Sequence, residues 1–556
     1  MILVLLPLVL LAALPQTPEG QGGQGSYDNL YTWNNSYHSQ YGQAFSDAGD
    51  VNGDGFDDLI VGASSYDDVG MNKIDIGQAF VYSGLDGTVL YQWEGTVDGE
   101  KFGHAAAGAG DLNADGFADF IVGAIGAGPG GRHKSGAVTA FSGVDGSILH
   151  QWTGFSGADA MGQSVAAAGD VNGDGYDDVI VGATRTDLGS LWDVGSAYVF
   201  SGLDGSLIYQ WNGEGSTDLF GHSVSSAGDV NADGVADLIV GAYLANPGGK
   251  NNAGSAYVYS GADGSLLYQF VGESASHEFG SSVSSAGDVN GDGFDDLLVG
   301  AQDATAPGVP SFAGAAYVFS GADGTLLHRW FGDDLIGYFG CSVSDVGDMN
   351  SDGFADVMIG AYGAGRTFAG SAYIYSGKTG GLLYEWLGTF DSYLGICVSS
   401  AGDVNNDGSP DIIIGSTRAA FVFTFNPILR SSASTISASA GGTLQLDLDF
   451  PATASNLGYK VLASTSGMGP IDYGVGIPLG FDALFVATFS GNYPVPTTNA
   501  HGTLDADGDA TASFTMPTGM PSSLIGNTFH LAAIASLPGL QIPAFSSMGV
   551  AITITP

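Results

Sequence analysis

The stretch DVNGDGFDD, residues 50–58, decides the fold, because it returns six more times: DLNADGFAD at 111–119, DVNGDGYDD at 170–178, DVNADGVAD at 229–237, DVNGDGFDD at 288–296, DMNSDGFAD at 348–356 and DVNNDGSPD at 403–411. Successive copies begin 61, 59, 59, 59, 60 and 55 residues apart. A near-constant period marks a repeat architecture in which each unit is one supersecondary element. Around each motif the order holds. An aromatic or apolar residue plus Gly comes first, as in FGHSVSSAGD from Phe220; an apolar strand such as DLIVGA from Asp237 follows; then come GSAYVYSG, a turn such as ADGS, and LLYQF. The strands alternate or are continuously apolar at strand length, and no helical period lies between them. Each unit reads as a four-stranded antiparallel sheet, and seven units read as an all-β, seven-bladed β-propeller over residues 26–426.

The ends of the repeat favour a closed ring over an open stack. Before the first full unit stands NLYTWNNSYHSQYG, which aligns with LLYQWEGTVDGEKFG at the next junction and is an orphan fourth strand. The seventh unit, from Leu394, ends at AAFVFTF near Phe425 and lacks a fourth strand. Leu30–Asn34 is expected to complete it beside Ala419–Phe425, which hides both sheet edges. Trp33, Trp93, Trp152, Trp211, Trp330 and Trp386 share one place in the fourth strands, with Phe270 in the remaining copy. Large aromatics at a fixed repeat position are expected to fill the space between neighbouring sheets.

The motif itself is a set of oxygen donors. Side chains at positions 1, 3, 5 and 9 and the carbonyl at position 7 can converge on one point, because Gly at position 6 permits the sharp turn. In the first copy the donors are Asp50, Asn52, Asp54, Asp58 and the carbonyl of Phe56. The second offers Asp111, Asn113, Asp115, Asp119 and Phe117; the third Asp170, Asn172, Asp174, Asp178 and Tyr176; the fourth Asp229, Asn231, Asp233, Asp237 and Val235. The fifth offers Asp288, Asn290, Asp292, Asp296 and Phe294; the sixth Asp348, Asn350, Asp352, Asp356 and Phe354; the seventh Asp403, Asn405, Asp407, Asp411 and Ser409. Hard oxygens in that number suit Ca²⁺ better than Mg²⁺, so about seven structural calcium ions are expected. Position 12 is Val61 in the first copy, where an EF-hand would place Glu. A plain Asx turn needs one such residue, whereas four recur here at fixed offsets.

Composition agrees with cation binding. The chain of 556 residues carries 58 Asp and Glu against 12 Lys and Arg, a formal charge of -46. That field repels phosphate backbones and anionic lipid heads, which excludes nucleic acid as an expected partner. MILVLLPLVLLAALPQ at the start has the length of a signal-peptide core and is too short to span a bilayer, although a positive charge after Met1 is missing. Residues 1–25 are read as an export signal with a polar linker, and no later segment is apolar enough for membrane insertion.

The FG, VGA and DxNxDGxxD elements, in that order over about residues 30–425, resemble the FG-GAP repeats of the integrin α-subunit propeller. The resemblance implies a seven-bladed ring, calcium hairpins on one face and ligand contacts on the opposite face. The chain departs from that family in filling every blade with the calcium motif and in lacking a top loop long enough for an inserted domain, so the family's ligands do not carry over.

Function is expected in the loops opposite the hairpins, which vary while the hairpins do not. Trp192, the one Trp outside the fourth strands, and Arg185 are the candidate contacts there. Cys341 and Cys397 sit one register step apart in neighbouring blades, which leaves an inter-blade disulfide or two buried thiols open. His104 and His222 share one repeat position and are expected to lie too far apart to cooperate. No HExxH, GxSxG or clustered CxxC motif occurs, so no enzyme is expected. After Pro427 the period stops, and six or seven short strands read as a β-sandwich over 427–556, with a further cation or a tight turn at DADGD from Asp505. The expected function is a secreted or cell-surface adhesion protein of bacterial type that binds a protein or glycan. A structural matrix component, or an FG-GAP-containing hydrolase or lyase, is the alternative.

Overall fold

A computed structural model describes residues 19–20, 26–34, 41–68, 73–305, 308, 311–350, 352–365, 367–406 and 408–426, and backbone strands within 429–555. The apolar leader, Asp407 and residues 505–508 of the late acidic run lie outside the described residues.

Seven antiparallel sheets form the propeller. The first blade runs Tyr41–Gly49, Asp58–Ala63, Gln78–Tyr82 and Val89–Glu94, from the channel outward, and the next five repeat that order, the sixth with Glu19–Gly20 added outside its fourth strand. The second strand is fully buried in each blade, as in DLIVGA and DFIVGA, which explains its unbroken apolar sequence. Core clusters lie between adjacent sheets: Ile180, Val199 and Phe220 pack with Leu238, Val240 and Tyr257 across the junction of the third and fourth blades.

The ring closes as expected, with a longer clasp. Ser26–Asn34 pairs antiparallel with Ala419–Asn426, Ser26 opposite Asn426 and Trp33 opposite Ala420. Tyr31 donates its hydroxyl to the Gly84 carbonyl of the first blade at 2.8 Å, and Leu59, Val61 and Phe80 share one core with Ala401, Ile413 and Val422.

The fourth-strand aromatics work across every junction. Trp33 stacks on Tyr82 at 4.3 Å, Trp211 on Tyr259 at 4.3 Å, Phe270 on Phe319 at 4.2 Å, and Trp386 lies 5.7 Å from Phe423. Each reaches an aromatic of the third strand of the next blade, the last residue of that strand at Tyr82, Tyr259 and Phe319. Four of the indoles also donate N–H to that blade's outer turn, Trp33 to Gly87 at 3.2 Å, Trp152 to Gly205 at 2.9 Å, Trp211 to Gly264 at 3.0 Å and Trp330 to Gly380 at 2.8 Å. They are hooks as well as filler. In the first six blades the glycine before the third strand makes the second joint: Gly77 pairs with Phe102 and Gly195 with Phe220 of the following blade. At Gly77, with φ +78°, a Cβ would stand 2.0 Å from the Phe102 carbonyl oxygen.

Beyond the propeller, Gly442–Asp449 pairs with Asp509–Met516, and Thr528–Ser536 lies between Gly458–Ser464 and Val550–Thr555. Cys341 and Cys397 are free thiols, which selects one of the two expectations. Burial raises both, Cys341 to about 12 and Cys397 to about 11, so neither is a ready nucleophile.

Candidate functional site

The hairpin between first and second strands is built by its own side chains. Asp50 Oδ1 accepts the N–H groups of Gly53 at 2.7 Å and Asp54 at 3.1 Å, and Oδ2 accepts that of Gly55 at 2.9 Å. Asn52 Oδ1 accepts from Asp54 at 2.9 Å, and Asp54 Oδ1 from Phe56 at 3.1 Å. The same Asx turns recur from Asp111, Asp170 and Asp229. Asp50 Oδ2, Asn52 Oδ1 and Asp54 Oδ1, each accepting one such bond, keep a further lone pair.

Position 9 differs from the rest. Asp58, Asp119, Asp178, Asp237, Asp296, Asp356 and Asp411 are all fully buried. Asp58 Oδ2 accepts the Val51 N–H at 3.1 Å, and Oδ1 accepts the Gly84 N–H at 3.0 Å, which ties the hairpin to the outer turn of its blade. Burial raises the first six of these carboxyls against the pull of their backbone donors, and the position 5 and position 1 carboxylates raise them further. Asp58, Asp119, Asp178 and Asp296 reach about 7 and Asp356 about 8.

The donor set is all oxygen, four side chains and a carbonyl per hairpin, and fits a hard divalent cation. Among the described residues, however, no three carboxylate, imidazole or thiolate groups gather at ion-binding distance. The sixth hairpin has a charge of its own: the Lys378 ammonium lies 4.2 Å from the centre of the Phe354 ring, and while burial raises Asp352, the Lys378 charge opposes that rise in part. In the seventh, Asn405 turns its amide to Thr424.

Sequence reading missed position 8. Asp57 Oδ2 accepts the backbone N–H of Asp403 at 2.8 Å, Asp177 that of Asp111 at 2.8 Å, and Asp295 that of Asp229 at 2.9 Å. Position 8 carboxylates thus join the hairpins of blades seven and one, two and three, and four and five. The alternation of DGFDD with DGFAD was the available signal.

On the opposite face, Trp192 is 69% exposed and its backbone N–H donates to the Ser216 hydroxyl at 3.3 Å. Arg185 is exposed too, and the pair shares no hydrogen bond or ring contact among the described residues. His104 and His222 are each lowered by burial to about 4, and His222 lies 4.3 Å from the Tyr243 ring.

Comparison with known proteins finds the FG-GAP repeat family at residues 45–82, 102–141, 161–200, 220–259, 279–319 and 342–375. Integrin alpha-5 of Xenopus laevis is 34% identical over 232 residues, 39% of this chain and 22% of the relative. Integrin alpha-V of Gallus gallus is 29% identical over 229 residues, 38% and 22% of the two chains. Integrin alpha-PS5 of Drosophila melanogaster is 35% identical over 173 residues, 28% and 16%. The chain spans about a fifth of the length of these curated relatives. The seventh blade, with Leu394 for the aromatic and Pro410 in its hairpin, lies beyond the family matches but keeps the blade architecture. The chain carries six FG-GAP repeats in a seven-bladed β-propeller and resembles the integrin α subunits within that ring.

Proposed function

We propose that the chain is a calcium-stabilised extracellular binding protein of adhesive type, whose protein or glycan ligand meets the propeller face opposite the hairpins. The observation that carries this reading is the contrast between the two faces: one repeats four oxygen-bearing side chains seven times, and the other changes from blade to blade. A rigid ring with one invariant and one variable face suits recognition. Similarity to integrin α subunits supports an adhesive role, and no helix among the described residues is long and apolar enough to cross a membrane.

In this reading each hairpin holds Ca²⁺ through positions 1, 3, 5 and 9 and the position 7 carbonyl. The bound ion would supply positive charge that offsets carboxylate repulsion, of order a few kcal/mol per pair at an effective dielectric near 20. The chain's own part is to pre-bend the loop with its Asx turns.

The test is a thermal melt with and without EDTA, followed by a glycan and protein binding screen in calcium buffer. Calcium is expected to raise the melting temperature by about 10 °C or more, as any ligand specific to the folded state does at concentrations well above its dissociation constant. An unchanged melt refutes the structural ion, and the absence of saturable binding refutes the recognition role.

A further inference from the structure

The sixth hairpin differs from its neighbours in charge. In blades one to five the outer turn reads SGLDGT, SGVDGS, SGLDGS, SGADGS and SGADGT, each with one Asp and no basic residue; in the sixth it reads SGKTGG, residues 376–381. Lys378 stands in place of an apolar side chain and Thr379 in place of the aspartate, so the turn changes from one negative charge to one positive. Gly377 donates its N–H to Asp356 Oδ1 at 3.1 Å, which fixes the turn against its hairpin. Lys378, next in the chain, sets its ammonium 4.2 Å from the centre of the ring of Phe354, position 7 of that hairpin. Its charge also reaches position 5, where burial raises Asp352 and Lys378 opposes the rise. Asp352 is half-buried, whereas Asp54, Asp115, Asp174, Asp233 and Asp292 are exposed at the same position. The position 8 carboxylates pass this hairpin by as well. They pair blades seven and one, two and three, and four and five, and position 8 of the sixth is Ala355.

We propose that Lys378 is a resident counter-charge that makes the sixth hairpin the weak member of the calcium set: it steadies that turn without metal, and the hairpin is the last to take the ion. The inference rests on the calcium reading above. Two cations compete there for one patch of carboxylate oxygens. An ammonium on a fixed turn repels a divalent ion; even at the dielectric of bulk water, a unit charge about 6 Å from such an ion weakens its binding roughly tenfold. The Phe354 face holds the ammonium in place, since an aromatic ring attracts a cation lying within about 6 Å of its centre. Lys378 thereby grades a ring whose seven motifs read alike. The hairpin that no position 8 carboxylate joins is the one that carries its own cation.

Equilibrium dialysis of the full chain against radioactive calcium tests this, with the parent, Lys378→Met and Lys378→Arg side by side. Lys378 is exposed, so both variants keep the fold. Methionine preserves the length of the side chain and its contact with the Phe354 ring while removing the charge. The parent isotherm is expected to show a tight and a weak class of ions at least about tenfold apart. Lys378→Met should move one ion from the weak class to the tight one, and Lys378→Arg should leave the isotherm as in the parent. High salt should narrow the gap between the classes, because it screens an exposed charge. A parent with all its ions in a single class, an isotherm unchanged by K378M, or K378R behaving like K378M overturns the assignment while the calcium reading stands. If the parent binds no calcium, both fail.

Discussion

A fully buried carboxyl with two backbone donors and two acidic neighbours is held in tension between being an acceptor and being neutral. Asp178 shows the position: Oδ2 accepts the Val171 N–H at 3.1 Å and Oδ1 the Gly202 N–H at 3.1 Å, yet burial carries it to about 7. Asp178→Ala leaves both amides unpaired and is expected to cost about 2–4 kcal/mol in a denaturant melt. The same carboxyls set a pH dependence. Each holds a proton in the fold that the unfolded chain has released above pH 3.8, so without a cation stability is greatest in mild acid and falls as pH rises towards 7. In EDTA the melting temperature at pH 5.5 should exceed that at pH 8; with millimolar calcium, which needs the anions, the order should reverse. A chelated protein that melts higher at pH 8 contradicts this assignment. The hairpin donors were legible in the sequence because their offsets repeat. The ring contacts of Tyr338 and Tyr393 were not, since their shared repeat position holds Lys101, Ala160, Leu219 and Glu278 in other blades, which leaves no period to read.

Between elements, a matched pair of glycines separates backbone strain from packing. Gly53 and Gly173 both occupy position 4 with φ +73°, but a Cβ at Gly53 would stand 2.5 Å from the Phe117 ring of the next hairpin, whereas nothing lies within 4 Å at Gly173. Val235 replaces the bulky ring at that second junction. Gly173→Ala should cost about 1–2 kcal/mol, the strain of the left-handed backbone. Gly53→Ala should cost a further 1–3 kcal/mol, roughly that of overpacking. Equal losses would show that the hairpins do not touch in solution. The indole hooks give a gentler case: Trp211→Phe keeps the stack on Tyr259 but loses the N–H bond to Gly264 at 3.0 Å, an expected loss of about 1 kcal/mol. The stacking was foreseeable from the fixed repeat position, whereas the hydrogen bond depends on a turn some fifty residues away.

The whole molecule is a ring whose ends meet in one sheet. Removing residues 26–34 would leave Ala419–Asn426 with an unpaired edge and strip Tyr31 and Trp33 from the first blade. The truncated chain is expected to self-associate on size-exclusion chromatography and to lose its cooperative melt; a monomer with the parent melting temperature would show that closure is dispensable. Closure was readable because the first and last units are each incomplete in complementary ways. The pairing of hairpins by position 8 carboxylates was not, because it joins residues of different blades.

That clasp also fixes how the molecule would bear load. Ser26 lies directly opposite Asn426, so the seam opens from one end of an antiparallel pair, with only the short pairing of Glu19–Gly20 to Leu387 and Trp386 of the sixth blade ahead of it. Tension between the two termini therefore peels the bonds apart singly, like a zip, instead of shearing the whole ladder at once. A protein that tethers surfaces through such a seam would yield there first, while the remaining six blades stay shut.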